Sequence, residues 1–310
     1  MSKLKISVSP HIHSGRSTSK IMRDVIIALL PAAAAGAVIF GLRALLVIAV
    51  CVIACVGFEF LYNLLVKKEQ TVGDLSAVVT GLLLALNLPA GIPVWQCVIG
   101  SLFAIIIVKC IFGGIGNNVV NPAIAARVFM LVAFGAMTTP SFPTIVDTAS
   151  SATPLSLEAG ADMPTLTDLF LGLKGGAIGE VCTAALVLGF IYLIVRRVIT
   201  WHIPVTFIGT VFVLSFLMEG FDAVSALALT MSGGLFIGAI FMATDYVTSP
   251  STSWGKVIFA LGAGLLTFAI RYFGIYPEGV SFAILFMNIL TPFIDKWTMH
   301  KVFGTGGKAV

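Results

Sequence analysis

Residues 44–66 read ALLVIAVCVIACVGFEFLYNLLV, and Glu59 is the single charged side chain in this apolar run. A helix needs roughly 20 predominantly apolar residues to cross the hydrocarbon core of a bilayer. This stretch, which is followed by Lys67 and Lys68, therefore predicts a membrane-spanning helix. The composition agrees, because 58% of the 310 residues are hydrophobic and only 10% are charged, against roughly 25% in ordinary soluble domains. We predict an integral membrane protein and exclude a soluble or disordered chain.

Ten apolar segments can be marked between charges, glycine, proline and polar clusters. They cover residues 22–42, 44–66, 75–90, 94–112, 118–135, 175–195, 203–218, 223–243, 256–273 and 279–295. The third ends in Asn87-Leu-Pro-Ala-Gly, and the fifth contains Asn121-Pro122 near its start. Such interruptions predict broken or re-entrant helices, which are tolerated only where protein or water covers the free backbone groups.

The basic residues orient these segments. If ten spans alternate from a cytoplasmic N-terminus, three basic residues lie outside (Arg43, Lys174, Arg271) and Arg127 lies within a span. The cytoplasmic side receives the rest of the 18 lysines and arginines: Lys3, Lys5, Arg16, Lys20, Arg23, Lys67, Lys68, Lys109, Arg196, Arg197, Lys256, Lys296, Lys301 and Lys308. Since cytoplasmic loops carry an excess of Lys and Arg, we predict a multi-pass protein of the cell membrane with both termini in the cytoplasm.

This topology divides the chain into five parts. Residues 1–21 and 296–310 form cytoplasmic tails, residues 22–135 and 175–295 each hold five spans, and residues 136–174 form an outer loop. The loop is acidic and rich in Thr, Ser and Pro. A loop of about 40 residues in a compact protein is typical of a functional segment rather than a connector.

The two membrane halves also show weak similarity to each other in sequence. Trp95 aligns with Trp254 at an offset of 159 residues, and Gly114-Ile115 aligns with Gly274-Ile275 at an offset of 160. A repeat with an odd number of spans must be inverted in the membrane. The predicted fold class is therefore all-α, with about ten transmembrane helices in two inverted five-span repeats. Because many transporters share this architecture, a stand-alone channel or transporter for a small solute remains one hypothesis for the function.

The outer loop contains the string DTASSAT at residues 147–153. One interpretation is a turn of small residues, since Asp and Ser bond locally to backbone and Thr153 precedes Pro154, which favours an extended conformation. The string also resembles the flavin-transfer sequence Asp-x-x-Ser/Thr-Gly/Ser/Cys-Ala-Thr, whose last threonine carries FMN through a phosphoester bond. The matching positions are Asp147, Ser150, Ser151, Ala152 and Thr153.

Three further stretches point to the same family. They are Ser9-Pro-His-Ile-His-Ser14 ahead of the first span, Asn121-Pro-Ala123 with Arg127, and Ala243-Thr-Asp-Tyr-Val-Thr-Ser-Pro250. With the flavin string, they make the chain similar to the D subunit of the Rnf complex over essentially its whole length. The B subunit of the sodium-pumping quinone reductase is related and shares the flavin motif.

The resemblance implies a subunit of a membrane complex that moves electrons between ferredoxin and NAD while it pumps Na⁺ or H⁺. Thr153 would carry covalent FMN, attached by a separate flavin transferase, which makes the chain a flavoprotein and a phosphoprotein. Asp147 would serve recognition by the transferase, or it is a solvated loop charge. Some members of the family also hold a non-covalent riboflavin, for which no residues are assigned here. The implied partners are the other subunits of the complex, the transferase and membrane lipid.

Ionisable residues within spans are functional candidates by default. Arg127 either neutralises a flavin or caps a broken helix. Glu59 and Asn63, four residues apart on one helical face, either line an ion path or pair with a neighbouring span. Asp245, which lies just after the eighth segment, either coordinates a cation or caps the turn that follows it.

Other classes of function are excluded or disfavoured. A net charge of +4 without a basic cluster that interleaves aromatic residues argues against nucleic acid. The five cysteines contain no CxxC pair, and neither they nor His11 and His13 have the further ligands that a metal site needs. The sequence shows no nucleotide loop and no nicotinamide-binding motif, so we expect the chain to act within a complex. A structural subunit with an unused flavin motif is the remaining alternative.

Overall fold

A computed structural model describes residues 17–135, 141, 165–274 and 279–299. Regular structure in these residues is helical, apart from one bridge between Ser141 and Gly176. The prediction of an all-α chain is therefore confirmed for the described residues.

The helices before the outer loop are numbered α1 to α5. Their bounds are Thr18–Phe40 (α1), Leu42–Val66 (α2), Ser76–Leu86 (α3), Val94–Leu102 (α4) and Pro122–Ala133 (α5). A short 3₁₀ turn, Val72–Asp74, precedes α3, and α4 continues as a π-helix over Phe103–Cys110.

The helices after the loop are numbered α6 to α12. Their bounds are Leu166–Leu171 (α6), Thr183–Val195 (α7), His202–Met218 (α8), Ala223–Met231 (α9), Leu235–Ile237 (α10), Ser253–Phe273 (α11) and Val280–Thr298 (α12). A π-helical turn, Gly238–Met242, extends α10.

Four of these helices, α1, α2, α11 and α12, are long and apolar enough to cross a membrane. The pair formed by α9 and α10 with its π-turn is bent by 67° and counts as a fifth candidate. The other apolar helices are shorter. For example, the 11 residues of α3 extend only about 16 Å at 1.5 Å per residue. The described residues thus hold four or five candidate spans beside shorter apolar helices.

The interrupted segments coincide with the ends of short helices. Helix α3 ends just before Asn87, and α5 begins at Pro122, where the Asn121 side chain accepts from the backbone N–H of Ala123 at 3.0 Å. Proline at the first helical position loses no intrahelical hydrogen bond. Both helices therefore start or stop at residues that are chemically suited to a helix end.

The sixth apolar segment differs from its predicted extent, because it is helical only from Thr183 onward. The preceding stretch carries Gly175, Gly176 and Gly179, and glycine disfavours helix. This non-helical stretch packs on the end of α3, where the N–H of Gly179 donates to the carbonyl of Leu86 at 2.7 Å. It thereby satisfies a carbonyl that the end of α3 leaves free.

Helix contacts recur in the two halves of the chain. Helix α2 packs on α3 and α4, and α4 packs on α5; likewise α8 packs on α9 and α11, and α11 packs on α12. Helix α1 packs along α7. The aligned residues Trp95 and Trp254 are each the second residue of their helix, in α4 and α11.

Candidate functional site

A cavity of about 370 Å³ lies where α1 begins and α7 ends. Its wall is mainly apolar, with residues such as Met22, Leu83 and Phe241. Its polar lining residues are Thr18, Ser76, Thr80, Lys109, Asn118, Asn121, Thr244, Asp245 and Tyr246. A largely apolar cavity with a few convergent polar groups is the usual form of a binding site.

The first polar group beside this cavity is the Lys109 cluster, which consists of the exposed residue Thr71 and the buried residues Glu59, Asn63, Ser76 and Lys109. Lys109 lies near the end of the π-helix that follows α4. Its Nζ donates to Glu59 Oε2 at 2.8 Å and to Ser76 Oγ at 2.6 Å. Lys109 and Glu59 are 3% and 2% exposed, so this ion pair is buried within the protein.

The rest of the Lys109 cluster completes the hydrogen bonding of the carboxylate. Thr71 Oγ1 donates to Glu59 Oε1 at 2.6 Å, and Asn63 Nδ2 donates to Thr71 Oγ1 at 3.0 Å. Ser76 Oγ in turn donates to Asp74 Oδ1. Burying an ion pair costs desolvation energy that only good geometry and additional hydrogen bonds offset, and the cluster supplies both.

A second group, the Arg127 cluster, consists of Asn87, Arg127 and Glu180. Arg127 Nη1 donates to Asn87 Oδ1 at 2.6 Å, and its Nη2 lies 3.7 Å from Glu180 Oε2. All three residues are buried. The other carboxylate oxygen, Glu180 Oε1, accepts from the backbone N–H of Ala177 at 2.8 Å. The cluster thus joins the end of α3, the middle of α5 and the glycine-rich stretch before α7.

The start of α10 approaches the same cluster. A Cβ atom at Gly234 would lie 3.0 Å from Arg127 Nη1 and 3.3 Å from Glu180 Oε2. A side chain at this position would have to displace one of these charged groups. Glycine therefore lets the broken α9–α10 segment lie directly against the Arg127 cluster.

Two basic side chains donate hydrogen bonds to backbone carbonyls at the break between α9 and α10. Lys174 Nζ donates to the carbonyl of Met231, and Arg271 donates to the carbonyls of Leu229 and Ser232 at 3.1 and 3.0 Å. A positive charge is favourable at the C-terminal end of a helix. Burial lowers the pKa of Lys174, in the connection between α6 and α7, to about 8.

Asp245 follows the π-turn that extends α10. Its Oδ2 accepts from Thr248 Oγ1 at 3.1 Å, and its backbone carbonyl accepts from the N–H of Ser249 at 3.1 Å. Of the two predicted roles, the capping of this turn is therefore observed. The carboxyl group also lines the cavity, and burial raises its pKa.

The predicted flavin-attachment residues Asp147, Ser150, Ser151, Ala152 and Thr153 lie outside the described residues, as do His11 and His13. Their roles stay predictions.

The predicted intramembrane residues are all described. Glu59 pairs with Lys109 on the neighbouring α4 segment, so the second of its two predicted roles is observed. Arg127 is held by Asn87 and Glu180, and its proposed contact with a flavin remains a prediction.

Sequence reasoning missed the partners in both clusters. It counted Lys109 among the basic residues of the cytoplasmic side, whereas this residue is buried within the protein. It gave no role to Glu180, although this is the one charged residue in the predicted span 175–195, and a lone ionisable residue in such a segment is itself a signal. For Lys109, the apolar run that precedes it in the sequence could have indicated that this residue is buried.

Comparison with known proteins gives consistent matches over nearly the whole chain. The sequence model of the NQR2, RnfD, RnfE family matches residues 5–304. The chain is 48% identical to the D subunit of the Na⁺-translocating ferredoxin:NAD⁺ oxidoreductase complex of Acetobacterium woodii, over 97% of this chain and 95% of that protein. It is 45% identical to the D subunit of the proton-translocating ferredoxin:NAD⁺ oxidoreductase complex of Clostridium ljungdahlii, over 97% and 96%. It is 34% identical to the D subunit of the ion-translocating oxidoreductase complex of Actinobacillus succinogenes, over 97% and 98%.

Proposed function

The chain belongs to the NQR2, RnfD, RnfE family, and from that premise we propose that it is the D subunit of an ion-translocating ferredoxin:NAD⁺ oxidoreductase complex. The observation that carries this proposal is the similarity, over nearly the full length of both chains, to the D subunits of two ferredoxin:NAD⁺ oxidoreductase complexes. The other subunits of the complex are its partners. The alternative of a stand-alone channel is not favoured, because these relatives are named as members of a complex.

The proposal includes covalent FMN on Thr153. A threonine hydroxyl is the group that a phosphoester tether requires, and the string at residues 147–153 matches the flavin-transfer sequence at every specified position. FMN carries out both one- and two-electron transfer, which no single amino-acid side chain does. The role of Thr153 is then to hold the cofactor at the membrane surface, and the role of Asp147 is recognition by the flavin transferase.

We further propose ten spans in two inverted repeats, with the domain bounds 1–21, 22–135, 136–174, 175–295 and 296–310. The recurrence of the helix contacts in the two halves supports the repeat. The cytoplasmic placement of the termini is supported by the predominance of basic residues on one side of the predicted topology. In this arrangement, the FMN loop lies outside.

Ion translocation is supported by the broken helices. The end of α3, the start of α5 and the break between α9 and α10 all place helix ends inside the protein, and charged side chains lie beside the end of α3 and beside the break. Ion sites in transporters are typically built from interrupted helices near the middle of the bilayer. We place the contribution of this subunit to ion movement in this region.

The test is flavin detection in Thr153→Ala after co-expression with the flavin transferase. We expect the wild-type band to fluoresce in a denaturing gel, Thr153→Ala to be dark, and the control Thr148→Ala in the same loop to fluoresce as wild type does. Complexes assembled with Thr153→Ala should lose both ferredoxin-dependent NAD⁺ reduction and the coupled ion uptake into vesicles. Covalent fluorescence that survives in Thr153→Ala would refute the assignment.

A further inference from the structure

We propose that the end of α7 and the starts of α8 and α11 together bind the headgroup of an anionic phospholipid. This surface is named the basic–tryptophan face and consists of Arg197, Trp201, Trp254 and Lys256. The inference goes beyond the proposed function, because it concerns the contact of the chain with the membrane and does not depend on the flavin or on electron transfer.

Helices α8 and α11 run side by side in the same direction. At their starts, Lys256 Nζ donates to Thr200 Oγ1 at 3.4 Å. Further along both helices, a Cβ atom at Gly264 would lie 2.7 Å from Thr210 Cβ. Because the contacts advance along both helices together, α8 and α11 are parallel and begin at the same end of the molecule. The positive ends of both helix dipoles therefore lie at this end.

The basic–tryptophan face adds two basic side chains to these helix starts. Arg197, in the connection between α7 and α8, is exposed, and Lys256 is partly exposed. The contact of Lys256 with Thr200 is to a neutral hydroxyl, so it brings no negative charge to the face. Arg and Lys form charge-assisted hydrogen bonds with phosphate oxygens. The charge of the face is therefore complementary to a phosphodiester anion.

Two carboxylates in the surrounding segments are held by groups outside this face. Asp24 of α1 pairs with Arg196 at 3.3 Å. Asp295 Oδ1 of α12 accepts from the backbone N–H and the hydroxyl of Ser251 at 3.0 and 3.1 Å. Both carboxylates thus have partners of their own within the protein.

The two tryptophans place this face at the membrane–water boundary. Trp201 immediately precedes α8 and is 56% exposed, and Trp254 is the second residue of α11 and is 73% exposed. Tryptophan is enriched at the level of the lipid headgroups, where its ring meets both apolar and polar groups. The basic side chains beside Trp201 and Trp254 therefore lie at the depth of the lipid phosphates.

Exposed apolar side chains continue from the tryptophans along both helices. Ile258, Leu261 and Leu265 follow Trp254 at the spacing of one helical face and are all exposed, and Val205 is exposed on α8. Helix α11 is long and apolar enough to cross a membrane. This arrangement fits a whole phospholipid, with its phosphate at the basic side chains and its acyl chains along the apolar side chains.

The positive charge selects an anionic lipid over a zwitterionic one. Basic groups between membrane helices bind anionic headgroups, whereas the headgroup of phosphatidylcholine brings its own positive charge to the same place. Phosphatidylglycerol carries a net negative charge and is therefore the probe used in the experiments.

The first experiment counts lipids bound to the full-length chain by native mass spectrometry, during titration with phosphatidylglycerol or phosphatidylcholine in detergent. We expect the wild type to bind phosphatidylglycerol more tightly than phosphatidylcholine. The double substitution Arg197→Gln with Lys256→Gln should weaken the binding of phosphatidylglycerol by about tenfold or more, which corresponds to about 1.4 kcal/mol. Binding of phosphatidylcholine should be unchanged.

The matched control is the double substitution Lys67→Gln with Lys68→Gln, which removes the same amount of charge. Both residues are exposed and follow α2, and no tryptophan lies in their segment. This control should bind phosphatidylglycerol as the wild type does. The proposal is overturned if the wild type does not distinguish the two lipids, or if both double variants lose affinity equally.

Quenching of tryptophan fluorescence in nanodiscs locates the bound lipid and does not require the charge variants to fold. Brominated phosphatidylglycerol should quench the wild type more strongly than brominated phosphatidylcholine does. Trp201→Phe with Trp254→Phe should remove this difference, whereas Trp95→Phe, at the start of α4, should retain it. A difference that survives in Trp201→Phe with Trp254→Phe would place the lipid elsewhere and refute the site.

The assembled complex tests whether another protein occupies the basic–tryptophan face instead. Quenching that depends on Trp201 and Trp254 should persist when the other subunits are present. Its loss in the complex would show that a subunit covers the face, and the lipid site would then be refuted.

Discussion

Arg127 shows how single residues stabilise the broken helices of this protein. Its guanidinium group reaches a side-chain amide at the end of α3 and a carboxylate in the stretch before α7, so three separate segments meet at one side chain. Its place inside a span made Arg127 recognisable from the sequence. Its partners were not, because Asn87 and Glu180 are 40 and 53 positions away in the chain and only the fold brings them together.

Removal of Arg127 should destabilise the protein. Arg127→Leu removes the guanidinium group that pairs with the buried Glu180, and the removal of one partner from a buried pair costs about 3–5 kcal/mol. We expect a clearly lower midpoint of thermal unfolding in detergent. The double substitution Arg127→Leu with Glu180→Leu should recover part of the loss, since it leaves neither charge unpaired.

Arg43→Leu provides the control for this prediction, because Arg43 is an exposed residue at the start of α2. It should unfold close to the wild-type midpoint. Equal midpoints for Arg127→Leu and Arg43→Leu would contradict a structural role of the Arg127 cluster.

At the scale of helices, apolar runs in the sequence predict well where the helices lie. Where each helix begins and ends depends in addition on tertiary contacts. Helices α8 and α12 begin within one residue of the predicted segments, at His202 and Val280. The stretch before Thr183 was predicted as helix because it is mostly apolar. Its glycines instead let it pack in an irregular conformation against the end of α3, a contact that no local pattern encodes.

Helix crossings supply a prediction at this scale. A Cβ atom at Gly189 of α7 would collide with the backbone carbonyl of Ala28 in α1 and would lie 2.8 Å from Phe241 Cζ. Small residues let membrane helices approach closely, and overpacking costs about 1–3 kcal/mol. We therefore expect Gly189→Ala to lower the midpoint of thermal unfolding.

Gly209 in α8 is the matched control, because a Cβ atom there would have no neighbour within 4 Å. Gly209→Ala should be neutral or stabilising by up to about 1 kcal/mol, the difference in helix propensity between the two residues. A loss of stability as large as that of Gly189→Ala would argue against the close crossing of α1 and α7.

At the scale of the whole molecule, the sequence identified a membrane protein and its family, because composition and motifs are read directly along the chain. The cavity and the two buried clusters were not predictable in the same way. Glu59 and Lys109, for example, are 50 positions apart and belong to different helices.

The ten-span topology predicts which loops are accessible from outside the cell. A cysteine introduced at Glu219, in the exposed connection between α8 and α9, should react with a membrane-impermeant maleimide in intact cells. A cysteine at Lys68, in the exposed connection after α2, should react only after permeabilisation. Labelling is compared with that of the wild type, whose five cysteines give the background. The reverse pattern would invert the topology.

The most direct test of the flavoprotein assignment is mass analysis of the outer loop. Trypsin cleaves after Arg127 and Lys174 and releases residues 128–174 as one peptide. From the membrane of a host that also produces the flavin transferase, this peptide should carry one FMN, and fragmentation should locate it at Thr153. An unmodified peptide, or a flavin on another residue, would contradict the central claim.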